Sequence, residues 1–190
     1  MLDVLAWFAT ILAFLAYIGV SIGKLNSSSI LFLGFNLFAS SIFVIHGFSL
    51  DNYSAVAQNI FFTTFSALGL LNVKLDLSFL NVKYLFLVSI LSIFISLLNQ
   101  NFQDLYWIFH VVGWPAVCFI VGAYILYTQN RINTSHYFLL NVFGNLFLTI
   151  NLIYFDNYQF AALQIFSFIM GVFGFYKINK DKKTIENLSM

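Results

Sequence analysis

Long apolar runs broken by short polar stretches dominate the chain. The runs cover Val4 to Ile22, Ile30 to Leu50, Ser54 to Leu71, Ser78 to Leu98, Tyr106 to Tyr127, Tyr137 to Phe155 and Tyr158 to Tyr176. Each is roughly 17 to 22 residues long, the length of one helical bilayer crossing. The breaks between them are short, so the pattern predicts an all-α membrane protein of seven transmembrane helices packed up and down.

Composition strengthens this reading. Of 190 residues, 61% are hydrophobic and 8% charged, with a mean hydropathy of +0.91. A water-facing domain carries roughly 25% charged residues. The expected partner is therefore the lipid bilayer, and a net charge of +1 argues against nucleic acid. Cys118, the single cysteine, sits inside an apolar run and reads as a buried spectator thiol. The first run follows Asp3, with no basic leader or small-residue cleavage site, and reads as a retained helix.

Seven crossings place the termini on opposite sides. With the N-terminus outside and the C-terminus inside, Lys24, Lys74, Lys83, Arg131, Lys177, Lys180, Lys182 and Lys183 all face inward, while Asp3, Asp51, Asp104 and Asp156 face outward. Basic residues concentrate on the cytoplasmic side of membrane proteins, which selects this orientation. A multi-pass protein of a cell membrane, specifically a bacterial inner membrane, is the expected location.

The chain also repeats itself. Trp7, Tyr17, Lys24, Asn26 and Ser28 match Trp114, Tyr124, Arg131, Asn133 and Ser135 at a spacing of 107 residues. After a two-residue shortening, Asn36, Ala39, Asp51, Asn52, Tyr53 and Asn59 match Asn141, Gly144, Asp156, Asn157, Tyr158 and Gln164 at 105. These matches predict a 3+1+3 layout: a triple-helix repeat over 1–76, a linker helix within 77–104, a second triple-helix repeat over 105–177 and a basic cytoplasmic tail over 178–190. Four crossings separate the copies, so they enter the membrane the same way up, as parallel repeats. The odd helix, Ser78 to Leu98, carries only Lys83 as a charge and is expected to pack beside one bundle, its Ser89, Ser92 and Ser96 away from any site.

Polar side chains at membrane depth must face the bundle interior or a water-filled cavity. Asn36 and Ser40 share one helical face, Asn141 and Asn145 repeat that spacing, and Asn59 and Gln164 occupy matched positions on the third and seventh helices. Two readings are open: interhelical glue, or a pocket for a neutral, hydroxyl-rich or amide-rich solute. Asn59, Gln164, Ser40, Asn145, Asn36 and Asn141 are the candidate substrate-binding residues. Trp7 and Trp107 read as interfacial belt residues, whereas Trp114 lies deeper and is a candidate cavity-lining ring. His46, whose counterpart is Asn151, reads as a hydrogen-bonded structural histidine, with proton coupling as the alternative. Every Asp and Glu falls at a loop or terminus. No spacing suits a metal, no cofactor is implied, and no catalytic constellation stands out, so the chain does not read as an enzyme.

These features resemble a known group. The layout, the basic and Ser-rich first loop (Lys24 to Ser29; Arg131 to Ser135) and the third-helix amide of each copy are similar to the SWEET sugar transporters and their PQ-loop relatives. The first copy also resembles the small bacterial membrane domain known as CBU_0592-like. The resemblance implies that Asn59 and Gln164, with Ser40 and Asn145, bind substrate, and that two triple-helix bundles rock about a central site without an energy source. Tyr17 and Tyr124 stand where that family has proline, and Gln164 stands for its asparagine. The expected function is facilitative transport of a small neutral solute, sugar-like or vitamin-like. The alternative is a non-transporting receptor or assembly partner of the same fold. Self-association is left open by the sequence, and a retinal-binding protein is disfavoured because Lys177 lies at the end of its helix.

Overall fold

The computed structural model describes residues 1–21, 24–25, 29–73, 82–98, 107–128 and 131–188. Asn26, Ser28, Lys74 and Asp104, and the side chains of Ser92, Ser96, Trp107 and His110, lie outside what is described. The described residues form seven α-helices: α1 (Leu2–Ser21), α2 (Ile30–Ser49), α3 (Tyr53–Leu70), α4 (Val82–Leu98), α5 (Trp107–Thr128), α6 (Thr134–Tyr154) and α7 (Tyr158–Leu188). By length and composition, four described segments are able to cross a membrane: Leu2–Gly19, Ile30–Ser49, Thr134–Tyr154 and Tyr158–Lys177. Large apolar side chains such as Ile11, Leu15, Phe143 and Ile169 stand exposed on them, as a lipid-facing surface requires.

Where the residues are described, three helix ends depart from the apolar runs by two residues or more, two of them for a local reason. Asp3 was expected outside a helix; it occupies the first turn of α1, where a carboxylate is favoured by the positive end of the helix dipole. α6 begins at Thr134 rather than Tyr137, because Asn133 Oδ1 accepts the amide of His136 (2.9 Å) and caps it. α7 runs on to Leu188, through the segment expected as a tail.

Two compact units emerge from the chain. The first comprises Met1–Asp76 with Thr149–Leu163, the second Leu77–Leu148 with Gln164–Met190. In the first unit α1 packs on α2 and α2 on α3. Small residues line that interior: Ala6, Ala9, Ala13, Ala16, Ala39 and Ala55 are all buried, which allows backbones to approach closely. In the second unit α4 packs against α5, and Ser89 of α4 is buried. There Gly144 of α6 lies against Ile120 and the carbonyl of Ala116 on α5, while Gly171 and Gly174 of α7 lie against Val142 and Phe138 of α6.

The described residues of the matched loops make equivalent backbone bonds. Lys24 N donates to Gly19 O (2.9 Å), and Arg131 N to Leu126 O (2.8 Å), at the spacing of 107. At the spacing of 105, α2 and α6 end in the same motif. Asp51 (φ 52°) and Asp156 (φ 54°) take the left-handed conformation, Asn52 N donates to Gly47 O, and Asn157 N donates to Leu152 O, both at 2.9 Å. The hydroxyls of Tyr53 and Tyr158 then donate to Asp51 Oδ1 and Asp156 Oδ1. Asp tolerates this conformation better than a branched residue does. Replacing either Asp by Val should therefore lower stability by about 1–2 kcal/mol. Replacing it by Gly should be tolerated, as thermal unfolding in detergent micelles will read.

Candidate functional site

The first unit concentrates buried polar side chains where α2 meets α3 and α6 meets α7. Asn52 begins the arrangement: its Oδ1 accepts the amide of Ala55 (3.1 Å) and so caps α3. Ser54 Oγ lies 2.9 Å from Asn52 Oδ1 and 2.9 Å from Asn151 Oδ1; its single proton serves one of them at a time. On the other flank, His46 Nε2 is 3.1 Å from Asp3 Oδ1, and Gln159 Nε2 donates to the same oxygen at 3.3 Å. His46 is nearly fully buried at 2% side-chain exposure, whereas Asp3 is 74% exposed. Thr10 Oγ1 lies 2.9 Å from both Ala6 O and Gln159 O, tying α1 to the start of α7. The rings of Phe43, one turn before His46, and Phe160, next to Gln159, stack at 4.7 Å.

These links close a circuit. Asp3 meets His46, Gly47 holds the backbone of Asn52, Asn52 meets Ser54, Ser54 meets Asn151, Leu152 holds the backbone of Asn157, and Gln159 returns to Asp3. Five helices contribute to it. The circuit also carries the repeat: His46 and Asn151 are matched at 105, as are Ser54 and Gln159. Ser54 bonds Asn151 directly, and Gln159 reaches His46 through Asp3.

Of the residues expected to bind substrate, Asn36, Ser40 and Asn59 belong to the first unit, and Asn141, Asn145, Gln164 and Trp114 to the second. Ser40 Oγ donates to Asn36 O (2.6 Å) and receives a bond from Thr63 Oγ1 (2.8 Å), so these three residues join α2 to α3. Asn36 Nδ2 donates to Phe32 O (2.9 Å), and its match Asn141 donates to Tyr137 O (2.8 Å). Asn59 Nδ2 donates to Ala55 O at 2.8 Å. An amide has two donor hydrogens and an acceptor oxygen, so one such back-bond leaves it further capacity. Ser40, Asn59, Asn145 and Gln164 are all buried, and Trp114 is half-buried. The second unit also holds a cleft of about 300 Å³ lined by Phe119, Leu139, Leu140, Phe143 and Phe147.

Sequence reasoning overlooked the circuit. Its contact between His46 and Asp3 joins residues 43 positions apart, and Gln159 reaches Asp3 across 156. One signal was present: the tripeptide Asp-Asn-Tyr occurs twice, at 51–53 and 156–158, inside chain segments that are otherwise apolar.

One family model matches the chain twice, over residues 2–76 and 109–183. The chain belongs to that family. The first match contains α1 to α3 and the second begins within α5 and ends within α7, so the repeat read from single residues and from hydrogen bonds is also a repeat of the family's unit. No curated protein and no solved structure matches the chain.

Proposed function

We propose that the protein is a facilitative transporter of a small neutral solute, built as 3+1+3 helices in a cell membrane, with its N-terminus outside and its C-terminus inside. In this reading α4 carries the chain back across the bilayer, so that the second triple-helix unit enters the same way up as the first. Alternating access by the two bundles then moves the solute, in the manner of the SWEET and PQ-loop transporters. The observation that carries the reading is the pairing of a repeated unit with amides at matched positions: the half-buried Asn36 with Asn141, and the buried Asn59 with Gln164.

The chemistry of these groups fits the solute class. They are uncharged, they donate and accept, and they sit on helices whose other faces are apolar, which favours hydroxyl or amide groups over ions. The reading requires no catalytic step and no cofactor. Reconstitution in liposomes with a panel of radiolabelled sugars, nucleosides and vitamins tests it. Uptake of one solute above protein-free vesicles is expected, with Asn59→Ala reducing it at least tenfold. Should no solute enter, the alternative of a receptor or assembly partner with the same helices takes its place.

A further inference from the structure

The polar circuit holds more hydrogen-bonding capacity than it uses. Six side-chain atoms of the first unit are buried without a partner: His46 Nδ1, Asn52 Nδ2, Gln58 Oε1, Asn157 Nδ2, Asn157 Oδ1 and Gln159 Oε1. Four of these five residues are members of the circuit, and Gln58 lies one helical turn beyond Ser54. All are more than nine-tenths buried; Asn157 is 0% exposed and Gln159 is 6%. Leaving a buried donor or acceptor unsatisfied forfeits its hydration with nothing in return, so a concentration of them in one place calls for groups that satisfy them. The two matched asparagines sharpen the point. Asn52 spends its oxygen on the cap of α3, whereas Asn157, at the equivalent place before α7, makes no side-chain bond with either amide atom.

We infer that the circuit of Asp3, His46, Asn52, Ser54, Asn151, Asn157 and Gln159 binds hydroxyl groups of a polyhydroxylated neutral solute, forming a loading site separate from the amides of Asn59 and Gln164. The unpartnered set includes two amide nitrogens as donors and three amide oxygens as acceptors, and His46 Nδ1 is a further acceptor in the tautomer whose Nε2–H faces Asp3. A hydroxyl both donates and accepts, so it matches such a mixed set, whereas a metal ion would leave the donors unmet and an anion the acceptors. Water carries the same chemistry, and the test separates the two sources. This inference deepens the transport reading by naming a substrate class, and it rests on that reading only for the direction of its consequence. The end of the unit concerned is the one read as outward-facing.

The experiment uses the full chain in lipid nanodiscs, labelled with ¹⁵N at Asn and Gln side-chain amides, and titrated with glycerol, myo-inositol and glucose. The expected result is a saturable shift of the Asn52, Asn157 and Gln159 amide resonances with at least one of these polyols. Asn157→Leu should abolish the shifts at Asn52 and Gln159, and Asn59→Ala should leave all three in place. If Asn157→Leu does not fold, Gln159→Met serves in its stead, read at Asn52 and Asn157. Amides that exchange with water yet move with none of the three polyols mean that the circuit holds water only, which overturns the inference. So do shifts that vanish in Asn59→Ala and persist in Asn157→Leu. Saturable shifts in a protein that moves no solute across liposomes would leave this site standing and remove the transport reading. Uptake with silent circuit amides would do the reverse.

Discussion

Gly144→Leu should leave little folded protein, and even Gly144→Ala should lower the unfolding temperature measurably. A Cβ built on Gly144 meets Ile120 Cγ1 at 2.5 Å and the backbone oxygen of Ala116 at 3.1 Å. The isoleucine is able to change rotamer, but the carbonyl belongs to the α5 backbone and moves only with its helix. Overpacking of this kind costs about 1–3 kcal/mol, and more where backbone must shift. The matched position in the first copy is Ala39, which already carries a Cβ in a buried place. Gly34→Ala is the internal control. Nothing lies within 4 Å of its Cβ, and the gain in helix propensity, about 1 kcal/mol, should hold or raise stability. Tryptophan fluorescence during heating in detergent reads all three variants; equal stability of Gly144→Ala and the parent protein would contradict the packing described for α5 and α6.

Asn52→Ala and Asn157→Ala should differ, although sequence matching makes the two residues equivalent. Asn52 Oδ1 caps α3 and also meets Ser54, so its loss removes a cap at about 1–2 kcal/mol and leaves a buried hydroxyl with one acceptor fewer. The Asn157 backbone amide donates to Leu152 O at the end of α6 and its carbonyl accepts from Ala161 N at the start of α7, and alanine keeps both of those bonds. Its side chain makes no bond that alanine would break. Thermal unfolding in the same micelles should therefore fall clearly for Asn52→Ala and little for Asn157→Ala. Equal losses would mean that Asn157 caps α7 after all.

Much of this structure was legible in the residues because membranes simplify the problem. Each of the seven apolar runs overlaps one described helix, four of them long and apolar enough to cross a membrane, and in hydrocarbon a backbone satisfies itself only by helix or closed barrel. The repeat was legible for a similar reason: loop residues such as Lys24 and Arg131, or Asp51 and Asp156, stand out against apolar surroundings, and their backbone bonds are the same to within about 0.1 Å. Helix ends were less so. Asn133 recruited three residues into α6 through a cap, and the charged residues after Tyr176 continued α7 where hydropathy stopped. Asp3, read as a terminal charge, joined a helix and found a histidine on its neighbour.

The candidate site divides along the same line. Asn36, Asn59, Asn141 and Gln164 were visible because an amide in an apolar run is conspicuous. His46 was read as a hydrogen-bonded histidine matched to Asn151, and it is hydrogen-bonded; its link through Asp3 to Gln159, and that of Asn151 to Ser54, were not visible, because these residues sit near helix ends, where polar residues are ordinary. Only the packing of α1, α2 and α3 with the ends of α6 and α7 shows that they are buried together.

The most direct measurement of the central claim is counterflow. Liposomes holding the protein are preloaded with an unlabelled solute found to enter, then diluted into labelled solute with no ion gradient. Alternating access without an energy source predicts transient accumulation of label above its outside concentration, lost in Asn59→Ala and in Gln164→Ala alike. Label that enters only to equilibrium, or accumulation that survives both substitutions, would contradict the account.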